Sequence, residues 1–221
     1  MRGGTASLLC LSGCLTLMAC RPPPSAHGAW IDARPAPPLE AIEVKTGQPF
    51  RLAEEQGRLK LLTFGFTSCP QVCPLTLSKL HRLLEALGND ASSVEVLFVS
   101  VDPARDTPAR LRGFLAQFDP RIGGLFLEGD ALARVLDAYE VAVSLQGPQV
   151  LRYRGSPTDP SREYPMEHTD SLVLIDGAGR LRARFTPQAE PAELASVMRR
   201  IFDEPQPLRH ATWLSRFERT P

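Results

Sequence analysis

An α/β sandwich around a mixed sheet is the fold this sequence predicts, and three observations predict it. Residues 59–66 and 94–101 are continuous apolar runs, the pattern of strands covered on both faces. Each run is followed by apolar residues at helical spacing. Residues 171–175 and 181–185 then meet through Asp176-Gly177-Ala178-Gly179, a hairpin signature, and a helix over 191–202 closes the domain.

The elements follow in order. Ile42 and Val44, then Phe50 and Leu52, flank Thr46-Gly47-Gln48-Pro49 as a small hairpin. After the first buried strand, Leu75, Leu77, Leu80, Leu83, Leu84 and Leu87 mark a helix that Gly88 stops. After the second, Thr107-Pro108 reads as an N-cap with proline at the first helical position, continued by Leu111, Phe114, Leu115 and Phe118. A short strand at 125–127, a helix over 131–139 and a hairpin of 141–145 with 150–153 around Gly147-Pro148 complete the expectation. No internal repeat is visible.

The flanks read differently. Arg2 followed by the apolar stretch 6–19 is too short for a membrane span of about 20 residues and suits a signal-peptide core. Leu17-Met18-Ala19-Cys20 is similar to a bacterial lipoprotein box, so residues 1–19 are expected to leave and Cys20 to take lipid, at about 0.8 kcal/mol of membrane affinity per buried CH₂. Residues 20–38, rich in proline, read as a spacer, residues 39–203 as the folded domain and residues 204–221 as a tail. The domain is expected on the periplasmic side, anchored to the membrane by lipid.

With 221 residues and 43% hydrophobic content, one substantial core is expected. The 25 basic and 25 acidic residues balance, which argues against a nucleic-acid surface. The arginines at 180, 182 and 184 read as a solvated strand face.

Chemistry concentrates in Phe64-Gly65-Phe66-Thr67-Ser68-Cys69-Pro70-Gln71-Val72-Cys73-Pro74, where strand gives way to helix. With Cys10, Cys14 and Cys20 assigned to the leader and anchor, Cys69 and Cys73 are the only thiols of the mature soluble part. A helix opened by Pro70 and Gln71 offers unpaired N–H groups and a positive dipole end, which favour thiolate. Spacing of i and i+4 puts both sulfurs on one helical face, about 6 Å apart at Cα, which permits a chelating pair or a disulfide. In an oxidising compartment such a pair tends to close unless a reductant or metal intervenes.

A two-thiolate site needs another donor to hold a soft or borderline metal. His27 lies in the spacer and His210 in the tail, and His81 is about 12 Å along the helix from Cys73 at 1.5 Å per residue. His168 remains, in Met166-Glu167-His168-Thr169-Asp170 just before the strand at 171–175. Taken alone, a loop histidine is more often solvated than a ligand. Two thiolates and an imidazole suit Cu(I), whereas structural zinc nearly always takes four protein ligands. Met166 offers a thioether but reads first as packing; Asp102 reads equally well as a turn residue, and Asp106 reads first as one.

The first motif, together with Ser100-Val101-Asp102-Pro103-Ala104-Arg105-Asp106-Thr107-Pro108 and with His168 ahead of Ile175-Asp176-Gly177, resembles the Sco/SenC family over roughly residues 40–203. The resemblance implies a thioredoxin-like sandwich with Cys69, Cys73 and His168 as copper ligands and Asp102 as an acidic neighbour. It implies Cu(I), with Cu(II) as a further state. The implied role is a metallochaperone that delivers copper to, or prepares, the copper A site of cytochrome c oxidase. The partners would be the oxidase subunit bearing that site, a copper donor protein and a thiol reductant. A thiol-disulfide oxidoreductase using Cys69 and Cys73 stays open, with no obligatory use for His168. So does a purely structural disulfide.

Overall fold

A computed structural model describes residues 27–145 and 166–204. The strands are β1 (Gly28–Pro35), β2 (Glu40–Glu43), β3 (Pro49–Arg51), β4 (Leu59–Gly65), β5 (Val94–Ser100), β6 (Gly123–Phe126), β7 (Val143–Leu145), β8 (Met166–His168), β9 (Leu172–Ile175) and β10 (Arg180–Phe185). The helices are α1 (Val72–Leu87), α2 (Pro108–Leu115), α3 (Gly129–Ala138) and α4 (Pro191–Asp203). Eight strands form one sheet in the order β1-β10-β9-β4-β5-β6-β2-β3, and β7 pairs with β8 separately.

β4 and β5 run parallel from Leu59↔Val94 to Gly65↔Ser100, and β9 pairs antiparallel with β4, so the sheet is mixed as expected. Alternation sends side chains to two cores. Leu61, Val96, Phe98 and Leu174 meet Leu77, Leu80, Leu84, Leu111 and Met198 from α1, α2 and α4. Leu62, Phe64, Val99 and Val173 meet Leu132, Val135 and Leu136 of α3 on the other face. Burial on both sides explains the continuous apolar runs. Gly88 sits at φ +57 and ends α1, and the Thr107 side chain accepts from Arg110 N to cap α2.

The structure corrects three expectations. Residues 28–35, placed in the proline-rich spacer, form β1 and pair with β10, because Trp30 has apolar surface to pack against the core. The strand at 143–145 pairs with 166–168; its expected partner at 150–153 lies outside the described residues, as do the proposed signal segment, Cys20 and most of the tail. α2 ends at Leu115, short of Phe118. The strand arginines are paired, not solvated: Arg182 bridges Asp176 and Glu204, Arg180 joins Asp176, and Arg184 reaches the Tyr139 carbonyl. No helix among the described residues is long and apolar enough to cross a membrane.

Antiparallel pairing of β9 with β4 decides where the site lies. Leu172 at the start of β9 faces Thr63 near the end of β4, so the residues entering β9 and those leaving β4 share one edge of the sheet. His168 enters on the first and Cys69 leaves on the second.

Candidate metal centre

The loop from β4 to α1 carries the cysteines, and its shape is fixed by hydrogen bonds. The buried Asp106 carboxylate accepts from Thr67 N at 3.1 Å, from Thr67 Oγ1, and from Ser100 Oγ at 2.7 Å. Arg110 closes the outer side by donating to Thr67 Oγ1 at 2.8 Å and Ser68 Oγ at 3.0 Å. Sequence reading gave Asp106 only a minor role. A buried carboxylate six residues past Ser100, at the end of the neighbouring parallel strand, was the available signal.

The helix begins at Val72 rather than Pro70, so Cys69 stands ahead of it and only Cys73 lies within it. The sulfurs are therefore neighbours for a different reason from two side chains on one helical face. Cys69 Sγ accepts Cys73 N–H at 3.4 Å, taking the place of a capping oxygen over the free N–H groups of the first turn. Both cysteines are free thiols, Cys69 half-buried and Cys73 buried.

The two titrate apart. The Cys73 thiol donating to the Cys69 sulfur, helped by the backbone N–H groups of Cys73, Gln71 and Val72, lowers Cys69 to about 5 against the opposing effect of burial. The same pairing, with burial and the nearby Asp170 charge, pushes Cys73 well above the ordinary thiol range. One proton is shared between two sulfurs, and Cys73 keeps it.

His168 arrives from 95 residues away with Nε2 4.0 Å from Cys73 Sγ. It ends β8, opposite Val143, and Thr169 N–H donating to the Ala142 carbonyl at 2.9 Å extends that pairing. Its imidazole is only 4% exposed, so the solvated-loop alternative does not describe it. Nδ1 lies 3.2 Å from the Thr169 carbonyl, to which it donates, and this contact turns Nε2 toward the sulfurs. Metal–sulfur and metal–nitrogen distances of about 2.3 and 2.0 Å let one ion span such a gap. Two sulfurs and one imidazole nitrogen form a soft donor set that fits Cu(I).

Asp102 is buried, and its carboxylate accepts from Arg105 Nε. The Arg105 guanidinium lies 5.4 Å over the Phe66 ring, which meets His168 edge-on. Asp102 thus connects to the imidazole through Arg105 and Phe66, two residues to which sequence reading gave no role. Asp170, also unassigned from sequence, has Oδ1 3.3 Å from His168 Nε2. The alternation of an extended chain, which puts i and i+2 on one face, was the signal for it.

The other histidines lie elsewhere. His27 pairs with Glu193, and His210 is outside the described residues. His81, Glu85 and Asp119 bring donor atoms within 4.8 Å of one another, but Arg121 pairs with both carboxylates and already supplies their positive partner.

Comparison with known proteins agrees with the geometry. An SCO2-like protein of Rickettsia conorii is 31% identical over 155 residues, 70% of this chain and 71% of that protein. Among solved structures, Bradyrhizobium japonicum ScoI with copper bound superposes with a TM-score of 0.64 at 31% identity, covering 76% of this chain and 99% of that one. Apo Sco1 of Thermus thermophilus superposes with a TM-score of 0.63 at 30% identity, covering 79% and 96%. The fold is the thioredoxin-like sandwich of these proteins. The SCO1/SenC family profile matches residues 41–203, and the chain belongs to that family.

Proposed function

We propose that this protein is a copper metallochaperone that holds the ion through the Cys69 and Cys73 sulfurs and His168 Nε2 and delivers it to, or prepares, the copper A site of cytochrome c oxidase. The observation that carries this reading is the convergence of His168 Nε2 on Cys73 Sγ at 4.0 Å across 95 residues of sequence. The copper-bound relative and the family's place among cytochrome c oxidase assembly proteins support it. Copper here is cargo. The Cys69 thiolate receives it without first losing a proton, Cys73 must give one up, and the buried imidazole turns Nε2 toward the sulfurs.

On this reading residues 1–19 are a lipoprotein-type signal and Cys20 carries the lipid. A spacer ending before β1 then holds the domain on the periplasmic side of the membrane, beside the oxidase subunit, a copper donor and a thiol reductant. Anaerobic Cu(I) titration of the reduced protein tests the ligand set. One ion per chain is expected, with Cys69→Ser, Cys73→Ser and His168→Ala each weakening binding at least a hundredfold; stoichiometric tight binding by His168→Ala would remove the site.

The asymmetry of the thiols favours a second reading, a thiol-disulfide oxidoreductase. The half-buried Cys69 thiolate would attack a substrate disulfide and expel one substrate thiol, and Cys73 would then displace the second, leaving a Cys69–Cys73 disulfide for an external dithiol to reduce. Turnover of a disulfide substrate that survives His168→Ala is the result that favours it.

A further inference from the structure

We propose that Asp170 is a fourth donor to the same ion, an oxygen that selects Cu(II) over Cu(I). The proposal rests on the assignment of Cys69, Cys73 and His168 as ligands.

Three observations carry it. Asp170 Oδ1 lies 3.3 Å from His168 Nε2, the nitrogen that faces Cys73 Sγ at 4.0 Å. An ion about 2.0–2.3 Å from each donor spans both separations. Second, Asp170 and Cys73 border one small cavity of about 10 Å³, the room of roughly one water-sized sphere, whose lining also includes Phe64, Phe98 and Leu172 but not His168 or Cys69. Third, among the described residues the Asp170 carboxylate meets no lysine or arginine, and its close contact is with His168 Nε2. Its negative charge is thus directed at the nitrogen that would be metallated.

The chemistry follows from donor type and charge. Cu(I) is soft and satisfied by sulfur and imidazole, while Cu(II) takes nitrogen and oxygen donors. A carboxylate beside two thiolates adds negative charge that stabilises a divalent ion more than a monovalent one. The other role open to Asp170 is to hold the imidazole in place, which would affect both oxidation states alike.

Asp170→Asn and Asp170→Ala separate the two roles. Cu(I) affinity is read by anaerobic competition with a chromophoric chelator, and Cu(II) affinity by titration with frozen-solution electron paramagnetic resonance. Both variants are expected to keep Cu(I) affinity within threefold, to lose Cu(II) affinity at least tenfold, and to shift the Cu(II) resonance. Unchanged Cu(II) affinity and resonance in both variants, or equal loss of both ions, overturns the proposal while leaving the three-ligand reading standing. Wild-type protein that bound neither ion at one per chain would overturn both.

Discussion

The Phe66 ring stands edge-on to the His168 imidazole, with centroids 5.8 Å apart and planes at 79°. The positive edge of one ring against the face of another is a favoured aromatic geometry, and here it fixes the rotation of a side chain whose Nε2 must point at Cys73. Phe66 is 4% exposed and carries Arg105 over its face, so one side chain links the imidazole to the buried Asp102–Arg105 pair.

Replacing Phe66 therefore tests orientation separately from ligation. Phe66→Ala is expected to cost about 3–5 kcal/mol of stability, as large aromatic truncations do. Phe66→Leu keeps most of the volume and is expected to cost about 1–2 kcal/mol. In Phe66→Leu, Cu(I) affinity should fall several-fold with both thiols still titratable. Urea unfolding and copper titration measure the two effects, and undiminished Cu(I) affinity would show that the edge contact does not orient His168.

Asp106 holds the cysteine loop to β5. Asp106→Ala strands the Thr67 N–H, which cannot rotate to another acceptor, while the Thr67 and Ser100 hydroxyls can turn. A loss of about 2–4 kcal/mol is expected from one unsatisfied buried donor and two weakened hydroxyl bonds. Asp106→Asn retains an acceptor oxygen and should lose less. Equal unfolding midpoints for wild type and Asp106→Ala would contradict this account.

Gly65 ends β4 directly beneath the site. A Cβ there would lie 2.7 Å from Cys73 Sγ and 2.7 Å from the Phe98 ring, so either the sulfur or the ring must move. Gly65→Ala is expected to cost about 1–3 kcal/mol by overpacking. Because Cys73 is one of the atoms displaced, Cu(I) affinity should fall at least tenfold. The same change at Gly113, which has open space around it, should leave copper binding unaltered.

Much of this was legible in the sequence, for definable reasons. Buried parallel strands are continuous apolar runs, so β4 and β5 stood out; α1 announced itself by leucine spacing and Gly88; α2 by Thr107-Pro108. The CxxxC run and His168 were legible because cysteine and histidine are scarce enough for elimination to work. What escaped depends on pairings distant in sequence. β1 pairs across about 150 residues and resembles a linker in composition, and β7 pairs with β8 more than 20 residues away. Asp106, Asp170 and Phe66 escaped because aspartates and phenylalanines are common, and only tertiary contact separates these from the others.

The thiol asymmetry fixes a pH dependence for the reduced, metal-free protein. Unfolded, both cysteines titrate near about 8.5. Folded, Cys69 is lowered to about 5, so between pH 5 and 8.5 the unfolded chain holds a proton that the folded one has released, and stability rises with pH across that window. Above about 8.5 the sign reverses. Cys73 in the unfolded chain then loses the proton that the folded chain retains, because its folded value is pushed up, and stability falls. Anaerobic urea midpoints from pH 5 to 10, taken as the difference between wild type and the Cys69→Ser/Cys73→Ser double variant, should therefore climb to a maximum near pH 8–9 and then decline. Alkylation by iodoacetamide gives the same answer by rate. Cys69 should react with a midpoint near 5 and Cys73 hardly at all, while two thiols reacting together with a midpoint near 8.5 would show that the sulfur–sulfur hydrogen bond does not separate them.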